Sequence, residues 1–232
     1  GTISDFLVTG SIAQDIISLP LALVLAVLSV YFLKCGGEKC FLVILGLTGY
    51  FFYGYGLYTI EGQYTSIYLV YLAVFGLSIY SLITGLLSFD PGSIRNYELP
   101  KVVRVSISAF LLLILIILVP VWLIKISSDI ATHIPGDTYA VYILDLSIVF
   151  PFLAITTVKL LQSRPFGNVL AGIAVFKAFT ICLSVGFGEI FQIVTAGRPA
   201  DSGMIGIFGM LTLISLVLFA LYMAKLRTKP LA

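Results

Sequence analysis

The chain reads as an all-α polytopic membrane protein of seven transmembrane helices. Three observations predict this class. Of its 232 residues 60% are hydrophobic and only 10% charged, with a mean hydropathy of +1.13, whereas soluble domains carry about 25% charged residues. Apolar runs of about 20 residues, the length that crosses a ~30 Å hydrocarbon core as helix, recur at 17–34, 41–60, 67–88, 103–124, 139–160, 168–190 and 204–224. Lys and Arg, finally, fall almost wholly into alternate connections.

Those connections set the orientation, because short cytoplasmic loops collect Lys and Arg. With the N-terminus outside, the inner loops and tail hold Lys34, Lys39, Arg95, Lys101, Arg104, Lys159, Arg164, Lys225, Arg227 and Lys229, ten of the thirteen. The outer side holds Lys125 and Arg198, and Lys177 lies within a span, while Asp5, Asp15, Glu61, Asp129, Asp137 and Asp201 are outside. The expected topology is N-out, C-in. The net charge of +2 therefore records topology, and no basic patch with interleaved aromatics suggests nucleic acid. Residues 1–15 carry no Lys or Arg and so lack the basic start of a cleaved signal peptide; the first run is read as a true span. Cys35 and Cys40 fall on the expected cytoplasmic side, where disulfides are uncommon, and Cys182 lies in the sixth span, so all three are read as free thiols. No metal set is expected from a C-x4-C without further ligands.

Taken in order, the first span contains Pro20, read either as a flexing point or as a favourable helix start. The second ends in Tyr50, Phe51, Phe52, Tyr53, Tyr55 and Tyr58, interleaved with Gly49, Gly54 and Gly56. An interfacial aromatic belt and a cavity wall are both open readings; in the latter Tyr50 and Tyr53, three apart, present their hydroxyls together. The third carries a stripe of hydroxyls, Tyr68, Tyr71, Ser78, Tyr80 and Ser81, suited to packing against neighbours. A turn-rich linker, FDPGSIRNYELPK, follows. The fourth span is evenly apolar and is assigned no site. The seventh has Gly203, Gly206 and Gly209 at spacing three, where a partner helix could come close.

The fifth and sixth spans place Asp145 and Lys177 in hydrocarbon, which costs several kcal/mol unless each is paired or wetted. At 1.5 Å per residue their Cα levels differ by about 8 Å, within reach of a lysine stem. Asp145 is expected to approach Lys177 directly or through one water or ligand group. Glu189, near the outer end of the sixth span, reads as a solvated interfacial acid.

An internal repeat is also visible. Asp15-IISL-Pro20 opens the first span and Asp145-LSIVF-Pro151 lies in the fifth; 26 residues beyond each proline stand Gly46 and Lys177. Both copies enter from the same side, so they are parallel. The expected layout is one transmembrane domain in three parts: a three-helix bundle over 1–88, a crossover helix with its loops over 89–138, and a second three-helix bundle over 139–232. The segments GYFFYGYGLYTI and YILDLSIVFPFLAITTVKLLQSRPFGNVLAGIAVFKAF resemble an uncharacterised family of multi-pass prokaryotic membrane proteins. That resemblance implies a seven-helix fold in a prokaryotic cell membrane, with no activity attached. The three-one-three layout is similar to SWEET and PQ-loop transporters, although Pro20-Leu21 and Pro151-Phe152 stand where the latter carry Pro-Gln.

These features point to a membrane small-molecule transporter or ligand-binding protein with a midplane site between the bundles. Asp145 and Lys177 would be its charges, Tyr50 and Tyr53 its hydroxyl-bearing wall, and Pro20 and Pro151 its hinges. The alternative is a structural or regulatory subunit in which Asp145 and Lys177 form a buried lock. An enzyme is disfavoured: the one His, His133, is in an outer loop, and neither H-E-x-x-H nor G-x-S-x-G occurs. A lysine-bound chromophore is a sub-case invited by a seven-helix bundle with a buried lysine, but retinal proteins carry that lysine on the seventh helix and Lys177 is on the sixth; no cofactor is implied. Expected partners are the lipid bilayer and a small-molecule ligand; homo-oligomerisation is open.

Overall fold

The computed structural model describes residues 5–95, 97–136, 139–197, 199 and 202–228. Asp137, Arg198, Asp201 and Lys229, used above to assign sides, lie outside them, as does the side chain of Asp5. The elements are α1 (Asp5–Cys35), α2 (Glu38–Ile60), α3 (Tyr68–Leu87), the one-turn α4 (Pro91–Ile94), β1 (Tyr97–Glu98), α5 (Lys101–Thr132), α6 (Tyr139–Leu144), a π turn (Asp145–Val149), α7 (Phe150–Leu161), α8 (Pro165–Ala196), α9 (Ser202–Lys225) and β2 (Arg227–Thr228). The α6, π and α7 segments form one continuous rod. Among the described residues seven helices are long and apolar enough to cross a membrane, and the chain is an integral membrane protein of the all-α class.

Local chemistry sets where these helices stop. Gly36 (φ 67°) and Gly37 (φ 113°) turn α1 into α2 through a backbone geometry that a side chain resists. The α2 helix ends at Gly62 (φ 63°), with the Gln63 N–H donating to the Tyr58 carbonyl and the Gly62 N–H to that of Thr59, a Schellman closure. The same closure ends α7 on a serine: Ser163 (φ 58°) occupies the left-handed position while Arg164 donates to the Lys159 carbonyl.

Burial sorts the helices into two ranks. In α2 and α8, 67% of the most apolar window is buried, against 6% in α1 and 11% in α9. Thus α2 and α8 pack on each other at the centre, with α1 and α3 flanking α2 and with α7 and α9 flanking α8. The α5 helix lies outside, mainly along α7. Missing side chains allow the closest approaches. A Cβ on Gly46 would lie 2.6 Å from the Phe176 ring, and one on Gly172 would lie 2.5 Å from the Tyr222 ring, which is buried and donates its hydroxyl to the Asn168 carbonyl at 2.8 Å.

Three expectations change here. The α1 helix begins well before its apolar run, so Asp15 lies inside it. The segment after α3 is no linker: Tyr97 and Leu99 are buried, Tyr97 accepts from Asn168 Nδ2 at 2.8 Å, and β1 pairs antiparallel with β2 from the far end of the chain. The aromatic run of α2 forms neither a lipid-facing belt nor an open wall; Tyr50, Phe51, Phe52, Tyr53 and Tyr58 are core, with Phe52 stacked on Phe75 and Tyr58 tilted against Tyr71. Cys35, Cys40 and Cys182 are free, the last buried.

Candidate functional site

A buried carboxyl and a half-buried lysine meet around Tyr53. Asp145, 7% exposed, is the first residue of the π turn, where the Phe150 N–H donates five residues back to its carbonyl. This wide turn precedes Pro151, whose ring nitrogen cannot donate, so the backbone is re-registered where the carboxylate enters the core. Asp145 Oδ2 accepts the indole N–H of Trp122 at 2.7 Å. The Tyr53 hydroxyl lies near the same carboxyl, with no hydrogen bond between them. On the other side of that phenol, Lys177 Nζ sits 4.2 Å from the ring centroid, a distance at which the ring's negative face attracts a cation. The lysine stem lies along Gly49, where an added Cβ would stand 3.6 Å from its Cγ.

Asp145 and Lys177 thus share one residue without sharing a bond. Among the described residues neither forms an ion pair within 4.0 Å. Contact between them runs through Tyr53, whose hydroxyl faces the anion while its ring faces the cation. Trp122 extends the chain of contacts outward: its ring carries Lys125 Nζ at 5.3 Å and lies 5.6 Å from that of Tyr142.

The other sequence-derived candidates separate. Tyr50 is fully buried, but its hydroxyl is paired with Ser18 Oγ at 3.0 Å across α1 and α2, away from Asp145. Pro20 and Pro151 both lie exposed, on α1 and α7. His133 is exposed at the end of α5, in a left-handed cap (φ 58°), and Glu189 is half-buried. Sequence reasoning missed two groups. Trp122 comes from the helix assigned no site, and the one signal for it was that the chain's single Trp carries an N–H that wants a partner when buried. The second is a polar knot at the C-terminal end of α2, where Tyr58 donates to the Ser11 carbonyl at 2.9 Å, Ser11 donates to Gln63 at 2.8 Å, and Tyr55 reaches Asp15 at 3.5 Å. Among the described residues no group of three or more His, Cys, Asp or Glu side chains could hold a metal ion.

Chemically, the Tyr53 centre offers one anionic acceptor, two aromatic donors and one ammonium at the junction of α2, α5, α8 and the π turn. Comparison with family models, curated proteins and solved structures finds no match for the chain.

Proposed function

We propose that the protein is a membrane small-molecule transporter or ligand-binding protein whose centre is the Tyr53–Trp122–Asp145–Lys177 cluster. One observation carries this reading: a buried carboxylate and a half-buried ammonium lie around one phenol without closing into an ion pair. Charges in hydrocarbon mark substrate or ion pathways by default, and an open pair can still exchange Tyr53 and Trp122 for groups on a ligand. The chain would lie in a prokaryotic cell membrane with its N-terminus outside, as the bias of Lys and Arg and the family resemblance suggest. The two halves would be parallel repeats: α2 and α8 are each the middle helix of a half, and the contact of α1 with α8 has its counterpart in that of α6 with α2.

A second reading has its own support. The Trp122 donor already holds the carboxylate inside the fold, as a purely structural lock would require. Melting of the purified protein against a panel of amino acids, small carboxylates and primary amines separates the two. The binding reading expects at least one compound to raise the midpoint of the wild type but not of Asp145→Asn or Lys177→Met. The lock reading expects both variants to melt early, with no compound discriminating them from the wild type.

A further inference from the structure

A second polar site lies outside the Tyr53 centre and does not depend on that reading. A cavity of about 340 Å³ opens between α4, the end of α7 and the start of α8, lined by Ile94, Arg95, Lys159, Gln162, Arg164 and Phe166 with Pro165. Its volume is in the range of small-molecule sites. Three of its lining residues are cationic, Arg95 from one segment of the chain and Lys159 and Arg164 from another, and among the described residues no carboxylate lines it.

The turn chemistry explains the convergence. The Schellman closure at Ser163 bonds the Arg164 N–H to the Lys159 carbonyl at 2.9 Å, so the two residues flank one tight turn. Gly167 locks α8 onto that turn, since a Cβ there would lie 2.7 Å from the Lys159 carbonyl carbon. The 32-residue α8 begins at Pro165, so its positive dipole end also faces the cavity. Among the described residues none of the three cations has an acidic partner within 4.0 Å. Three unneutralised cations around a helix start cost free energy through mutual repulsion, and an anion in the cavity removes that cost. Ile94 and Phe166 add apolar walls beside the charges.

We propose that this cavity binds a phosphate group, its three cations and helix start taking the oxygens. A phospholipid headgroup and a soluble phosphate share this chemistry, and the apolar walls together with the position at a helix end favour the lipid.

The test uses the full chain in nanodiscs. Melting is followed in phosphatidylcholine alone, with added anionic phosphatidylglycerol, and in phosphatidylcholine with inorganic phosphate. Comparison is made with the cavity variant R95Q/K159Q/R164Q and with K34Q/K101Q/K225Q, which removes the same charge from exposed positions outside the cavity. The expected result is that anionic lipid raises the midpoint of the wild type and of the outside variant but not of the cavity variant. Each single cavity substitution should weaken lipid affinity about fivefold, which keeps the test usable should the triple change fail to fold. Protection by inorganic phosphate at equal strength would assign the cavity to a soluble phosphate compound instead. Equal responses of the two triple variants, or no response to either anion, would overturn the site.

Discussion

Tyr53 is where two opposite charges are reconciled, and its two ends can be removed separately. Tyr53→Phe deletes the hydroxyl near Asp145 but keeps the ring under Lys177; Tyr53→Leu deletes both. In a double-mutant cycle with Lys177→Met, the Leu variant should therefore couple by about 0.5–2 kcal/mol, the range of cation–π pairs, and the Phe variant by almost nothing. Equal coupling in both cycles, read from denaturation in detergent, would mean that Lys177 senses the hydroxyl and not the ring. Trp122→Phe should cost about 1.5–3 kcal/mol, the worth of a hydrogen bond to a charged group, and less than half of that once Asp145→Asn has removed the charge. At this scale the sequence was partly legible. Asp145 and Lys177 stood out because charges within apolar runs are rare. Trp122 did not, since an indole near a helix end is also what an interface favours and its acceptor lies 23 residues further on. Tyr50 and Tyr53 looked equivalent at spacing three, yet they are about 60° apart around the helix, and over the length of a phenol that angle carries one hydroxyl to Ser18 and turns the other toward Asp145.

Whole helices are held by contacts that hydrophobic periodicity cannot show. Gly46 and Gly49 lie on the face of α2 that meets α8, but they differ in room. A Cβ on Gly46 would come within 2.6 Å of Phe176, a half-buried ring wedged against Phe219, whereas one on Gly49 would rest at 3.6 Å on a lysine stem. Gly46→Ala is therefore expected to destabilise by about 1–3 kcal/mol, as overpacked cores do, and Gly49→Ala to stay near neutral; comparable melting midpoints for the two would refute this packing. The π turn makes a sharper case. Deleting exposed Ser147 would let the rod run as regular α-helix and take Asp145 out of the widened turn that aims its carboxylate. Asp145 should then leave Trp122, and emission from the single Trp should shift as it does in Asp145→Asn. Unchanged emission in the deletion would show that something else aims the carboxylate. The helices themselves were readable, because twenty apolar residues in a row have few other fates. Their ends were not, because caps such as Ser163 and the one-residue offset of a π turn depend on backbone states that apolar counts do not record. The β1–β2 pair joins Tyr97 to Thr228, a contact too distant in sequence for any local pattern to announce.

At the scale of the molecule, the chain places its two most buried helices, α2 and α8, side by side and leaves α1 and α9 to lipid. That arrangement explains why α8 buries Asn168, Thr180, Ser184 and Gln192, while α9 buries only Ser215, Leu218 and Tyr222. It also gathers the ends of α1, α7 and α9 with the starts of α2, α5 and α8 into one basic face, where Lys39 Nζ donates to the Met223 carbonyl at 2.6 Å. The sidedness of that face is the last expectation to be tested, and the native cysteines allow it. Cys35 is exposed beside Lys34 on the basic face, Cys40 is half-buried nearby, and Cys182 is buried. Tyr64, 81% exposed in the connection between α2 and α3, lies at the opposite end of α2. If Lys and Arg are retained on the cytoplasmic side, a membrane-impermeant maleimide applied to intact cells should leave Cys35 unlabelled until the membrane is opened. A Tyr64→Cys variant lacking Cys35 and Cys40 should be labelled at once. The reverse pattern would place the N-terminus and the phosphate cavity on opposite sides from those argued here while leaving the helix packing untouched, because the contacts among α2, α7 and α8 are the same whichever way the bundle faces.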